Sequence, residues 1–232
     1  MAWDTVGIKP KKGEAMPTKP LSRRDFLKVT GITLGTSVVA CSGLTTLATY
    51  SPAVTLPEGT YGDQALPKRI LIVYASKCGS TGEVAAVMGK TIAQSGVHVD
   101  VLPIEKATNL SGYRAIFVGS AIRMGKWLPE AVDFVRKNLA ALQRVPTAYF
   151  TMCATLINDT SDSRAKAATF VEPVRAVFAP AAEGYFAGKV DPNSLSFIEN
   201  ISLEAKRVPQ GDFRDWVKIT NWAQSTYAQI CA

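Results

Sequence analysis

From residue 69 onward, short continuous apolar runs alternate with stretches whose apolar positions recur every three or four residues. The runs are RILIVYAS (69–76), RAIFVGSA (114–121) and PTAYFTMCA (146–154). Runs this short, with so little polar interruption, suit strands buried on both faces. VHVDVLPI (97–104) alternates and reads as a further strand, and AEGYFAGKVD (182–191) as the fifth. Between them lie helical patterns. GEVAAVMGKTIAQSG (82–96) spaces Val84, Val87, Met88 and Ile92 at helical intervals and ends at Gly96, a residue suited to stopping a helix. LPEAVDFVRKNLAALQ (128–143) has Pro129 near its start, where the missing N–H costs nothing. SDSRAKAATFVEPVRAVFAP (161–180) reads as a helix that Pro173 kinks or breaks. NSLSFIENISLEAK (193–206) predicts another. DFRDWVKITNWAQSTYAQI (212–230) predicts a closing helix, with Trp216, Ile219, Trp222 and Tyr227 as its apolar stripe.

Strands that alternate with helices imply an α/β protein: a doubly wound, five-stranded parallel sheet with helices on both faces. Ligands in such sheets bind at the carboxyl ends of the strands, beside the point where the strand order reverses.

Before residue 68 the pattern is different. SRRDFLK (22–28) precedes a weakly apolar stretch, VTGITLGTSVVA, and then Cys41. This layout resembles a twin-arginine export signal, with every defined consensus position met. The plainer alternative is a chance Arg pair before a buried helix, but the preceding IKPKKGEAMPTKP is too rich in Pro and Lys to pack. VVAC at 38–41 resembles a lipoprotein box, which would make Cys41 a lipidated first residue. An uncleaved signal anchor and ordinary cleavage further on are the other two readings. All three place the folded part outside the cytoplasmic membrane. Residues 42–67 hold Pro and Gly without a sustained period and read as a flexible linker. The expected domains are therefore 1–41 for targeting, 42–67 as linker and 68–232 as the folded domain.

Composition narrows the chemistry. The chain has 232 residues, 47% hydrophobic and 19% charged, enough for one real core. Its net charge is +7, but positions 1–40 hold seven cations against three acids, leaving +3 for the rest. No cluster of Lys and Arg with interleaved aromatics follows, so nucleic acid is not an expected partner. Cys41, Cys78, Cys153 and Cys231 are widely spaced, and His98 is alone. That pattern offers neither a zinc site nor a disulfide framework.

Three loops fall on the carboxyl edge. SKCGSTG (76–82) lies between the first strand and the first helix. Free amides and the helix dipole make such a place a phosphate site. Gly79 and Gly82 allow close approach, and Ser76, Ser80 and Thr81 add hydroxyl donors. A generous helix cap is the alternative. The stretch matches neither the dinucleotide nor the triphosphate glycine motif. GSAIRMGKW (119–127) follows the third strand, and Trp127 either stacks on a flat ring or packs on its own helix. TMCATLIND (151–159) follows the fourth. Cys78 and Cys153 share this edge, but two strand spacings put them about 10 Å apart, beyond disulfide reach unless the loops converge. Cys231 sits at the C-terminus and His98 away from the site, and neither is expected to act.

With these segments in view, residues 69–230 resemble the flavodoxin superfamily, and within it the flavodoxin-domain branch that includes the menaquinone-dependent protoporphyrinogen oxidases. YASKCGSTGEVA, LSGYRAIFVGSAIRMGKWLPEAVDFVRKN, FAGKVD and GDFRDWVKITNWA carry the resemblance. It implies non-covalent FMN and the strand order 2-1-3-4-5. It also implies that Ser76, Lys77, Cys78, Gly79, Ser80 and Thr81 hold the FMN phosphate. Ser120, Ala121, Ile122, Arg123, Met124, Gly125, Lys126 and Trp127 would line one side of the isoalloxazine. Thr151, Met152, Cys153, Ala154 and Thr155 would line the other. Three departures stand out. Cys78 replaces the Thr or His of many relatives, the loop after the fourth strand has no aromatic, and the domain is not acidic. The expected function is an exported, membrane-held FMN redox protein that exchanges electrons with a membrane quinone or membrane redox protein. A protoporphyrinogen oxidase-like enzyme is the second expectation, and a flavin-free binding or scaffold protein on the same fold is the third.

Overall fold

The computed structural model describes residues 54–66, 69–195 and 207–231, together with Ile201, Glu204 and Ala205. The export motif, Cys41 and the first part of the expected linker lie outside the described residues. In chain order the elements are β1 (Gly59–Tyr61), β2 (Arg69–Ala75), α1 (Ser80–Ala93), β3 (His98–Pro103), β4 (Ala115–Arg123), β5 (Lys126–Trp127), α2 (Pro129–Lys137) and α3 (Leu139–Leu142). Then come β6 (Thr147–Met152), α4 (Ser161–Thr169), α5 (Glu172–Arg175), β7 (Ala182–Phe186), β8 (Lys189–Val190), β9 (Gly211–Asp212) and α6 (Trp216–Cys231).

The five long runs form the parallel sheet β3-β2-β4-β6-β7. This is the order 2-1-3-4-5, and the order reverses between β2 and β4. The continuous apolar character of β2 has a direct cause. Ile70, Ile72 and Tyr74 pack in the layer with α1 and α6, while Leu71, Val73 and Ala75 pack in the layer with α2 and α3. No face of β2 meets water, so no polar alternation is needed. On α1, Val84, Met88 and Ile92 are fully buried, each contributing about 2 kcal/mol by leaving water.

Several boundaries differ from the pattern-based expectations, each for a local reason. The helix expected over 128–143 breaks between α2 and α3 at Asn138, whose side-chain amide donates to Phe134 O at 2.9 Å and competes with helix continuation. The stretch 161–180 breaks between α4 and α5, where Pro173 sits in the first turn of α5. Of the helix expected over 193–206, Pro192–Ser194 forms a 3-10 turn, and most of the rest lies outside the described residues. Trp216 is half-exposed and leaves the apolar stripe of α6, which runs through Ile219, Ala223 and Thr226. Part of the expected linker is also structured. β1 pairs antiparallel with β3, and Leu56 and Tyr61 pack against the core. The folded body therefore extends back to about residue 54, a contribution too short and Pro-rich to show a period.

One polar network links the second helical layer to the sheet. Arg175 grips Glu183 side-on, Nε to Oε1 at 2.9 Å and a terminal amine to Oε2 at 2.8 Å, and Tyr185 donates its hydroxyl to the same carboxylate. The Arg175 guanidinium holds the Glu183 carboxyl below the usual carboxylate range. A lowered carboxylate pKa adds stability above its unfolded value of about 4.3, and that stability is lost as pH falls through the folded value. Urea unfolding should therefore show ΔG dropping between about pH 5 and about pH 3. Glu183→Gln should flatten that slope, and an unchanged slope would remove Glu183 from the acid response.

Candidate functional site

The carboxyl ends of β2, β4, β6 and β7 meet in one open cleft with walls that are mostly apolar, the usual character of a small-molecule site. Each wall follows from the local chain. The first is the turn from β2 into α1, where Ser76, Lys77, Cys78 and Ser80 line the cleft. Gly79 is the N-cap of α1 at φ 78, in the left-handed region that glycine tolerates, and no side chain caps the helix. The first amides of α1 thus have no intrahelical acceptor, and they stand at the positive end of a 14-residue helix. Gly79 and Thr81 belong to this turn but do not line the cleft; Thr81 is fully buried, and its hydroxyl has no hydrogen-bond partner among the described residues. A buried hydroxyl without a partner beside uncapped amides fits an anion supplied from outside the chain. Lys77 is held to Glu130 at the start of α2, 2.5 Å away.

The second wall comes from β4. Ala121, Ile122, Arg123 and Leu128 line the cleft. Behind them, Ser120 Oγ donates to Ala121 O at 2.9 Å and accepts from Leu128 N at 3.0 Å. Trp127 Nε1 donates to Thr151 Oγ1 at 2.9 Å, and the indole packs on Tyr149 with ring centroids 4.9 Å apart. Trp127 is 3% exposed, so it offers no face for stacking. Its bonded and stacked partners, Thr151 and Tyr149, lie on β6 rather than on its own helix. Ser120, Trp127 and Thr151 brace the wall from inside and do not line it. Met124 and Gly125 form the exposed tip of the β4–β5 hairpin, and Lys126 also lies outside the lining.

Met152, Cys153 and Ala154 form the third wall, with Thr155 just outside it. Cys153 is buried, and burial pushes its thiol pKa up, so the group is a neutral thiol rather than a nucleophile. No disulfide joins the described cysteines. Cys78 and Cys153 both line the cleft, and Cys78 Sγ donates to Ser194 O at 3.2 Å. His98 is buried at the amino end of β3 and pairs with Asp100 at 3.1 Å, away from the cleft.

The fourth wall is the one that sequence reasoning missed. Gly188, Lys189, Val190, Asp191 and Leu195 line the cleft from the loop after β7. The β8–β9 ribbon carries this loop. The usable signal was positional: in the order 2-1-3-4-5 the fifth strand ends on the same edge as the others. Arg214 anchors the ribbon. Its guanidinium donates to both oxygens of Asp212, at 2.8 and 2.6 Å, and to Glu83 on α1 at 2.6 Å, and it lies over the Trp216 ring. Burial works against its charge, but Asp212 and Glu83 outweigh burial and raise its pKa.

The cleft therefore offers an uncapped helix start at one end and apolar walls of Ile122, Leu128, Met152, Val190 and Leu195 at the other. That pairing suits a phosphorylated ligand with a flat apolar head. A protoporphyrinogen IX dehydrogenase [quinone] of Escherichia coli (strain K12) is 23% identical over 86 residues, 36% of this chain and 48% of that protein. The chain thus spans about half the length of this curated relative. The protein of that name from Leishmania major is 22% identical over 67% of this chain and 70% of its own. Among solved structures, a flavodoxin from the domain Archaea shares 17% identity, with a TM-score of 0.45 over 71% of this chain and 99% of its own. Flavodoxin 2 from Bacillus cereus shares 20%, with a TM-score of 0.44 over 69% and 99%. The family model for the flavodoxin domain matches residues 71–213, from β2 to the ribbon that closes the cleft, and the chain belongs to that family as a flavodoxin-type flavoprotein.

Proposed function

We propose that the protein is an FMN-dependent redox protein, exported by the twin-arginine route and held at the outer face of the membrane, exchanging electrons with a quinone or a membrane redox protein. The observation that carries the FMN reading is the partnerless Thr81 hydroxyl beside the uncapped start of α1. FMN ends in a phosphate that would satisfy both. The amides of the 77–81 turn and the hydroxyls of Ser76, Ser80 and Thr81 would hold it. Ala121, Ile122 and Arg123 would wall one side of the flavin, with Met152, Cys153 and Ala154 on the other. Bound FMN would supply one- and two-electron chemistry. The chain's part is to bind it, exclude water with apolar walls and orient its ring. The SRRDFLK motif supports export, since that route moves proteins already folded around cofactors.

A second reading, oxidation of a protoporphyrinogen, is favoured by the names of the two relatives. The export motif opposes it. One experiment addresses both. The full chain is recovered from fractionated host cells and its visible spectrum recorded; the dithionite-reduced flavin is then mixed with menaquinone, and the oxidised flavin, without oxygen, with protoporphyrinogen. Flavin bands, release of FMN on denaturation and reoxidation of the reduced flavin by menaquinone are expected. Reduction of the oxidised flavin by protoporphyrinogen would favour the second reading. A colourless protein that takes up no FMN would overturn both, and a flavoprotein found in the cytosol would remove export.

A further inference from the structure

β1 runs against the sheet's direction. β2 begins at the amino end of the sheet, away from the cleft, so a chain entering it directly would arrive from that side. Instead, β1 pairs antiparallel with β3, Gly59 opposite Val101 and Tyr61 opposite Val99. Traced backward from β1, the chain rises along the sheet's edge to the cleft. Pro57 O accepts from the Tyr74 hydroxyl near the carboxyl end of β2. Val54 lies against Gly79, where an added Cβ would be 2.9 Å from Val54 Cγ1. Val54, the first described residue, thus lies beside the phosphate turn. Direct entry would place it roughly 20 Å away, the length of a seven-residue strand.

The same edge carries an unusual tip. Met124 (φ 52) and Gly125 (φ 74) form the two-residue turn between β4 and β5, a geometry that a non-glycine residue resists. Met124 is 92% exposed. The bonds of Trp127 and Ser120 fix the hairpin from behind, so the methionine is presented rigidly. Arg123 and Lys126 face each other across the ladder at its base. Lys126 is exposed and joins no ion pair among the described residues. An apolar tip between two cations, on the same sheet edge as the first described residue, Val54, has the chemistry of a contact with anionic lipid. The apolar group meets the acyl boundary and the cations meet headgroups.

We infer that the carboxyl edge of the sheet, led by the Met124 hairpin, rests on an anionic bilayer surface, so that the cleft opens toward the membrane. The inference rests on the membrane-held reading above and adds the side that faces the lipid. A lipid-dissolved electron carrier would then reach the cleft without crossing water, which fits the cleft's apolar walls.

The test uses the full chain on phosphatidylcholine vesicles containing phosphatidylglycerol. A photoreactive benzophenone amino acid is placed at position 124 in one preparation and at position 95 in another. Ser95 is exposed just beyond the far end of α1, on the amino side. Irradiation should give lipid adducts from position 124 about tenfold above those from 95, since headgroup attraction decays within a Debye length. Lys126→Glu should cut the adducts from 124 about fivefold. Equal or greater labelling from 95, with the chain still floating with vesicles, overturns the orientation and leaves attachment standing. Failure to float overturns both. Adducts from 124 only to an acidic protein, when native membranes replace vesicles, also overturn it. None of these readouts depends on the flavin, so failure of the FMN reading is seen separately in the visible spectrum.

Discussion

Replacing Thr81 by valine should weaken FMN binding about 10- to 100-fold and leave the flavin-free protein more stable, not less. The two effects have one cause. The Thr81 hydroxyl is buried without a partner among the described residues, and an unsatisfied buried hydroxyl costs about 1–3 kcal/mol. Valine keeps the shape and removes the polar group, so the empty fold gains. A hydrogen bond to a phosphate is charge-assisted and contributes about 1.5–3 kcal/mol, which sets the expected loss in affinity. Titration of flavin fluorescence reads the first effect, and the urea midpoint of the flavin-free protein reads the second. Unchanged affinity would take Thr81 out of the phosphate site. A lowered midpoint would mean the hydroxyl has a structural partner.

The second large effect is expected at Arg214. Its side chain is 5% exposed and joins three elements: Asp212 on β9, Glu83 on α1 and the Trp216 ring at the start of α6. Arg214→Ala removes all three contacts at once. Breaking a fully buried pair costs about 3–5 kcal/mol, but here both carboxylates are more than two-fifths exposed and can turn to water. A loss of about 2–3 kcal/mol is expected, measured by urea unfolding. Arg214→Lys should recover only part of it, because an ammonium cannot reproduce the side-on grip on Asp212. The ribbon's wall of the cleft should loosen too, raising the FMN dissociation constant in Arg214→Ala. A loss under about 0.5 kcal/mol would mean the cluster is a solvated surface pair.

The sheet was legible because burial on both faces leaves an unmistakable pattern. Nothing but a covered central strand explains Ile70 through Tyr74. The turn at 76–82 was legible because small and hydroxyl residues collected where a helix begins. Trp127 carried two readings in the sequence, stacking on a flat ring or packing on its own helix, and neither pointed to its actual surroundings. Its partners, Thr151 and Tyr149, come from β6, and no local pattern shows that an indole N–H will find a hydroxyl on the neighbouring strand. The wall at 188–195 escaped because nothing local marks it: Gly188, Val190 and Leu195 are ordinary apolar positions, and Lys189 and Asp191 pair with each other. Gly188 and Val190 matter by position, which only the assembled strand order supplies. β1 escaped because three residues flanked by Pro and Gly have no period to detect. Cys78 keeps some of its oddity: the structure gives its thiol a carbonyl at Ser194 but no reason for sulfur over oxygen.

The N-terminal arm also has a colloidal consequence. Without β1, the sheet would end at β3, a six-residue strand with open N–H and C=O groups along one side, ready to pair with a second molecule. β1 covers half of that strand and presents a new edge of three residues, too short to template much. A parallel sheet that forms slowly from distant segments is most exposed to such pairing while folding. By laying its own leading segment along the vulnerable edge, the chain blocks self-association with residues that are already tethered there.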